Sequence, residues 1–166
     1  MSMRELSALP VGQIAAENAV IFMWSTWANL MDAIHLIHAW GFQYRTNAWV
    51  WEKVTSTGAP EMGAGGYTRK CTEPCLLGAR GRMAPRTRSE RDLIHATNPG
   101  FNRKPIDQYQ KIVNMYPDSQ KIELFASDFS ANCASAYGFD MCLGLEVNGD
   151  IRETLPRLIA EERVKW

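Results

Sequence analysis

The chain has 166 residues, 46% of them hydrophobic and 22% charged, with 18 basic against 18 acidic side chains. That length and composition describe one globular domain with room for a sizeable core, not a disordered or fibrous chain. A formal net charge of zero excludes attraction of nucleic acid by bulk charge. No apolar run reaches bilayer length, and the N-terminus lacks the basic-then-apolar layout of a signal peptide.

Ser2-x-x-Glu5 has the form of a helix capping box, and Leu6 and Leu9 continue a short helix that Pro10 interrupts. Val20 to Trp24 is a continuous apolar run, the pattern of a strand buried on both faces. Leu30, Ile34 and Ile37 share one face of a helix over 27–39 that Gly41 ends. A long aromatic strand follows from Phe42 to Val54. Strand, helix and strand in this order predict a right-handed βαβ unit in a parallel sheet. The glycines at 58, 63, 65 and 66 place a loop over 55–72, and Glu73 to Ala79 is a further apolar strand.

Residues 81–103 show no periodicity and are rich in Arg, Asn, Pro and Gly, so they read as one long loop. Pro105 suits the first turn of a helix, along which Ile106, Tyr109, Ile112, Val113 and Tyr116 form an apolar stripe. Pro117-Asp118-Ser119 stops it, and Ile122 to Phe125 reads as a short strand. The segment 126–136 is small and polar. Cys142 to Val147 suggests a last edge strand, and Leu155 to Trp166 a final helix within a C-terminal tail over 148–166. Neither internal repeats nor a second domain are visible. Cys71, Cys75, Cys133 and Cys142 are spaced too loosely for a usual zinc site and read as reduced thiols of a cytoplasmic protein.

Open α/β sheets bind ligands at the carboxyl ends of their strands. Glu123 lies within a short apolar strand, where a carboxylate needs partners; it either holds ribose-type hydroxyls or faces outward on a half-exposed strand. Lys104 precedes a helix, where its charge opposes the helix dipole unless a bound anion compensates; otherwise it is a solvated lysine. Arg80, Arg82, Arg86 and Arg88 sit among few acids and suit contact with a phosphate backbone, a solvated loop or a dimer contact. Tyr67 and Arg69 belong to a glycine-rich loop without a phosphate-binding signature.

Six segments, in order, resemble a known family: VIFMWST from Val20, AWGFQY from Ala39, WVWEK from Trp49, GAGGYTRKCTEPCLLGARGR from Gly63, KPIDQYQKIVNMYPDSQKIELF from Lys104, and GFDMCLGLEV from Gly138. Over residues 1 to 147 they resemble the S-adenosylmethionine-dependent N6-adenine methyltransferases related to the large subunit of the mRNA adenosine methyltransferase, in the bacterial and phage branch. The resemblance implies an α/β, Rossmann-like methyltransferase fold, with a mostly parallel sheet and helices on both faces. It implies S-adenosylmethionine bound by Lys104, Glu123, Leu124, Phe125 and Glu146. It also implies adenine-containing DNA or RNA contacted by Tyr67, Arg69, Arg80, Arg82, Arg86 and Arg88, and a possible homo- or hetero-dimer. The family's catalytic Asp-Pro-Pro-Trp is absent from these residues. The family order puts that strand first, so an N-terminal catalytic strand is expected to be missing and no catalytic residue is assigned. No membrane partner and no metal are implied. Two other readings stand beside this one: a non-catalytic, nucleic-acid-binding partner of an active homologue, and an unrelated α/β binding module.

Overall fold

The computed structural model describes residues 1–100, 102–144 and 149–162. A four-stranded sheet is built from β1 (Ala19–Trp24), β2 (Gln43–Val54), β3 (Thr72–Arg80) and β4 (Leu93–Thr97), in the order β1-β3-β2-β4. β3 runs antiparallel to both neighbours, and β2 pairs in parallel with β4. A second, two-stranded parallel sheet joins β5 (Ile122–Leu124) to β6 (Met141–Leu143). The class is α/β as expected, but the larger sheet is mixed. β1 and β2 run in the same direction with β3 inserted between them, so the first strand–helix–strand unit skips one position.

Period-two alternation gives the sheet two apolar faces. Ile21, Met23 and Leu76 face a core with α1 (Met3–Ala8), α2 (Val11–Ile14), α3 (Leu30–Ala39) and α6 (Ile151–Ala160). Phe22, Trp24, Cys75, Trp49 and Trp51 face the other way, onto Ile112 and Met115 of α4 (Asp107–Met115). Helices therefore cover both faces. Two register shifts in β2, at Tyr44/Thr46 and Asn47/Trp49, precede Trp49 and Trp51, which are each 1% exposed. Trp49 stacks on Phe22 with ring centroids 5.0 Å apart.

β1 departs from its sequence pattern. An all-apolar run reads as a central strand, yet all six of its residues are only half-buried. The reason is position: β1 is an edge strand, paired on the β3 side alone among the described residues.

The segment 81–103 contains β4, a five-residue edge strand whose only buried residue is Ile94. The segment 126–136 is helical: α5 (Asp128–Ala136) is started by Ser127 and Ser130, each hydroxyl accepting from the other's backbone N–H. α6 begins at Ile151, earlier than the sequence pattern suggests, and buries Ile151 and Leu155 in the main core. No helix among the described residues is long and apolar enough to cross a membrane.

The capping box of α1 forms as its sequence predicts: Ser2 N–H donates to Glu5 Oε2 at 2.7 Å, and Glu5 N–H donates to Ser2 Oγ at 3.3 Å. Ser2→Ala is expected to lower stability by about 1 kcal/mol in urea unfolding, the usual worth of such a cap.

Candidate cofactor and substrate site

Two carboxylates organise one end of the molecule. The first is Glu73, at the start of β3. It sits between Lys53 near the end of β2, 2.5 Å away, and Lys104 just before α4, with which it forms a close ion pair. Both ammonium groups also lie over indoles: Lys104 over Trp24 at 5.5 Å from the ring centroid, and Lys53 over Trp51 at 4.9 Å. Trp24 Nε1–H in turn donates to the buried Gln108 Oε1 at 2.6 Å. Burial pushes the Glu73 carboxyl up; the hydrogen bonds from Lys104 and Lys53 outweigh that and leave it below the ordinary glutamate range. The cluster carries two cations against one anion, so it has capacity for a further negative group.

The second carboxylate is Glu123 in β5. Tyr109 on α4 donates its O–H to Glu123 Oε2 at 2.8 Å and also approaches the Ser130 carbonyl at 3.3 Å. Burial raises the Glu123 pKa, with the hydrogen bonds from Tyr109 and Ser130 working against it. The Tyr109 hydroxyl is raised too, by burial first and by the Glu123 charge second, so it stays a donor. Tyr137 stacks on Tyr109 at 5.8 Å, and Phe139 meets it edge-on at 5.4 Å.

The first turn of α4 joins the two halves. Gln108 holds Trp24 beneath Lys104, and the next residue, Tyr109, holds Glu123. Lys104 and Glu123 make no direct contact with one another. Beyond β5 the chain turns sharply at Phe125, whose φ of +63° is rare for a side chain of this size. The residue is 39% exposed, and its ring lies roughly parallel to that of Trp40, with centroids 6.4 Å apart. The α5 N-terminus follows immediately. Strand, strained turn, capped helix and parallel strand make a compact βαβ unit whose rim carries Glu123 and Phe125.

The remaining expected residues fall as follows. Leu124 is half-buried against the main core. Glu146 lies outside the described residues. Tyr67 and Arg69 are fully or largely exposed in the glycine-rich loop. Arg80 and Arg86 are engaged within the fold, Arg80 with the Gly12 carbonyl at 2.7 Å and Arg86 with Asp118 at 3.1 Å. Arg82 and Arg88 are exposed. Sequence reasoning missed Glu73, Lys53, Trp24, Gln108 and Tyr109. A glutamate opening an apolar strand was the available signal for Glu73; the others become visible only once β1, β3 and α4 are assembled. Among the described residues no group of three His, Cys, Asp or Glu side chains could hold a metal ion.

The MT-A70 family model matches residues 1–138. The chain belongs to the MT-A70 family. Among relatives of this MT-A70 chain is the Type II methyltransferase M.MunI of a Mycoplasma species, 34% identical over 128 residues, covering 76% of this chain and 52% of that protein. An N(6)-adenosine-methyltransferase MT-A70-like protein of Arabidopsis thaliana is 24% identical over 151 residues, covering 87% of this chain and 20% of its own length. A probable N(6)-adenosine-methyltransferase MT-A70-like protein of Oryza sativa subsp. japonica is 25% identical over 138 residues, with 80% and 18% covered. The chain thus spans about half the length of M.MunI and about a fifth of the plant proteins.

Proposed function

We propose that this MT-A70 chain forms the cofactor-binding part of an S-adenosylmethionine-dependent adenine-N6 methyltransferase acting on DNA or RNA. The observation that carries the reading is the βαβ unit at β5–α5–β6, with Glu123 held by Tyr109 at the rim of a sheet in a chain of this family. When bound, the cofactor supplies an activated methyl on a sulfonium.

The residues present fit that group. The Glu123 carboxylate accepts from ribose-type hydroxyls while Tyr109 fixes its orientation. Phe125 offers an exposed aromatic face beside it for a purine. Lys104 carries three donor hydrogens, so it can keep Glu73 and hold a cofactor carboxylate together. Cation–indole contact with Trp24 limits where that ammonium can go.

Methylating an exocyclic amine would form an N–C bond as the sulfonium's S–CH3 bond breaks to leave a neutral thioether, with loss of one amine proton, and the base must leave its stack to reach the site. The family's Asp-Pro-Pro-Trp accepts hydrogen bonds from that amine, and these residues contain no such sequence. Among the described residues the outer edge of β1 is unpaired. The chain alone is therefore expected to bind cofactor and transfer no methyl group.

Thermal unfolding with and without S-adenosylmethionine tests the binding half: saturating ligand at about 100 times its Kd adds about 2.7 kcal/mol to the folded state. Glu123→Gln is expected to keep the fold, since the amide still accepts from Tyr109 and removes a buried charge, and to abolish most of the shift. An unchanged shift in that variant refutes the assignment of Glu123. Labelled-methyl transfer to adenine-containing DNA or RNA by the chain alone refutes the second half. A second reading, a non-catalytic partner that presents nucleic acid to an active homologue, is favoured by the same absent motif; stable co-purification with a motif-bearing homologue, without a cofactor shift, decides for it.

A further inference from the structure

Gln108, in the first turn of α4, is more than nine-tenths buried, yet half of its carboxamide is unused. Its Oε1 accepts from Trp24 Nε1–H at 2.6 Å. An indole N–H can only donate, and this fixes the sense of the amide: the oxygen faces Trp24, and Nε2 carries two donor hydrogens on the other side. Nε2 has no hydrogen-bond partner among the described residues. Nor is it sealed in, because Trp49 Nε1 is the one buried side-chain polar atom among them that lacks a partner. A donor in so buried a side chain, unpaired but reachable, is unfavourable until an acceptor arrives.

The same indole ties this amide to Lys104. The Lys104 ammonium lies over the Trp24 ring, 5.5 Å from its centroid, while Gln108 holds the ring's N–H edge. Lys104 and Gln108 are four residues apart where the chain enters α4, the spacing that puts two side chains on one helix face. Glu73 is already satisfied on both oxygens, Oε1 by Lys53 and Oε2 by Lys104. What the cluster lacks is an acceptor for the amide and a counter-charge for its second cation. A carboxylate supplies both at once, with two oxygens that each take two hydrogen bonds and one negative charge. A lone ammonium offsets only part of the cost of stripping water from such a group, and a second, oriented donor adds to it.

We propose that Gln108 is a specificity-determining residue that, with Lys104, forms a two-donor seat for the carboxylate of a nucleoside cofactor bearing an amino-acid tail. This rests on the cofactor reading above and names what that site selects for. The tail of such a cofactor carries a carboxylate and an ammonium on one carbon. Ammonium and amide N–H groups favour only the first, so they set which way the tail lies and disfavour a tail that ends in an amine alone. Trp24 N–H, by donating to Oε1, polarises the amide and strengthens the donor at Nε2. Because Gln108 also holds Trp24, the seat and the indole beneath Lys104 are built together.

The test is isothermal titration calorimetry of the chain with S-adenosylmethionine and with its decarboxylated analogue, which keeps the nucleoside, the sulfonium and the amine. The wild type is expected to prefer the first by at least about tenfold, the worth of one hydrogen bond to a charged group. In Gln108→Glu the carboxylate still accepts from Trp24 but donates nothing. The preference should then fall by at least about tenfold through weaker binding of S-adenosylmethionine, with the analogue bound as well or better. Gln108→Met, similar in volume and uncharged, should lower the preference in the same direction, and it carries the test if the buried charge of Gln108→Glu prevents folding. A Gln108 that merely supports Trp24 predicts equal weakening of both ligands. That result, an unchanged preference in the variants, or a wild type without preference overturns the seat and leaves the cofactor reading standing. Binding of neither ligand by the wild type removes the cofactor reading, and the seat with it.

Discussion

Gly144→Ala is expected to cost about 3 kcal/mol or more through overpacking, a fall of about 10 °C in the thermal midpoint for a chain of this size. Gly144 follows β6 and passes directly against the turn after β5. A Cβ there would lie 1.9 Å from the Ala126 carbonyl oxygen and 2.9 Å from its carbon. Those are backbone atoms, so no side-chain rotation relieves the overlap. The two strands are also tied at this point, because Ala126 N–H donates to the Leu143 carbonyl at 2.8 Å. Pushing them apart breaks that bond and displaces Ser127, the residue that caps α5. Gly138→Ala is the control. Gly138 has a φ of +74° and nothing within 4 Å of its would-be Cβ, so its cost is limited to about 1 kcal/mol of backbone strain. Circular-dichroism melts of both variants decide the matter. Equal midpoints would show that β5 and β6 are not held at the observed spacing.

The elements legible in the sequence were those that carry their own period. The apolar run of β1, the stripe of α3, the aromatic alternation of β2 and the stripe of α4 all lie where their patterns put them, to within three residues, the largest offset being the start of α3 at Leu30 rather than Trp27. The parts that were not legible depend on partners remote in sequence. β4 has a single buried residue, Ile94, and exists because Val50–Val54 of β2 offers it a parallel edge. α5 carries Phe129 and Cys133 among Asp, Asn, Ser and Ala, with little apolar stripe; its capping serines and the burial of Ala134 define it. Sheet direction failed for a related reason. Nothing local in Glu73–Ala79 says whether it runs with or against β1, and β3 inserts between β1 and β2 antiparallel to both. The site divides the same way. Lys104 and Glu123 stood out as charges in awkward places, and each does have a specific partner, Glu73 for one and Tyr109 for the other. Those partners lie 31 and 14 residues away in the chain, beyond the reach of any local pattern.

Glu73→Ala is expected to lower stability by about 2 kcal/mol at neutral pH, the figure for breaking a buried ion pair reduced for partial exposure. The Glu73 side chain is 15% exposed, and Lys53 and Lys104 are 22% and 30% exposed. Removing the carboxylate leaves two half-buried ammonium groups facing one another across its place, with the indoles of Trp51 and Trp24 as their remaining partners. The loss depends on pH in a fixed direction. Because the folded-state pKa of Glu73 lies below the ordinary glutamate value of 4.5, its contribution is complete above that value and disappears as pH falls through the depressed folded-state value. The gap between wild type and variant should therefore be widest at neutral pH and close on the acid side of pH 4.5. Glu123 acts in the opposite sense: its folded-state pKa is raised, so it favours the folded state below its ordinary range and loses that advantage as pH rises through the raised value. Urea unfolding of wild type, Glu73→Ala and Glu123→Gln over a pH series separates the two carboxylates. A gap between wild type and Glu73→Ala that stays constant with pH would mean that Glu73 is not ion-paired in solution, and the cationic cluster proposed to receive the cofactor carboxylate would lose its organising anion.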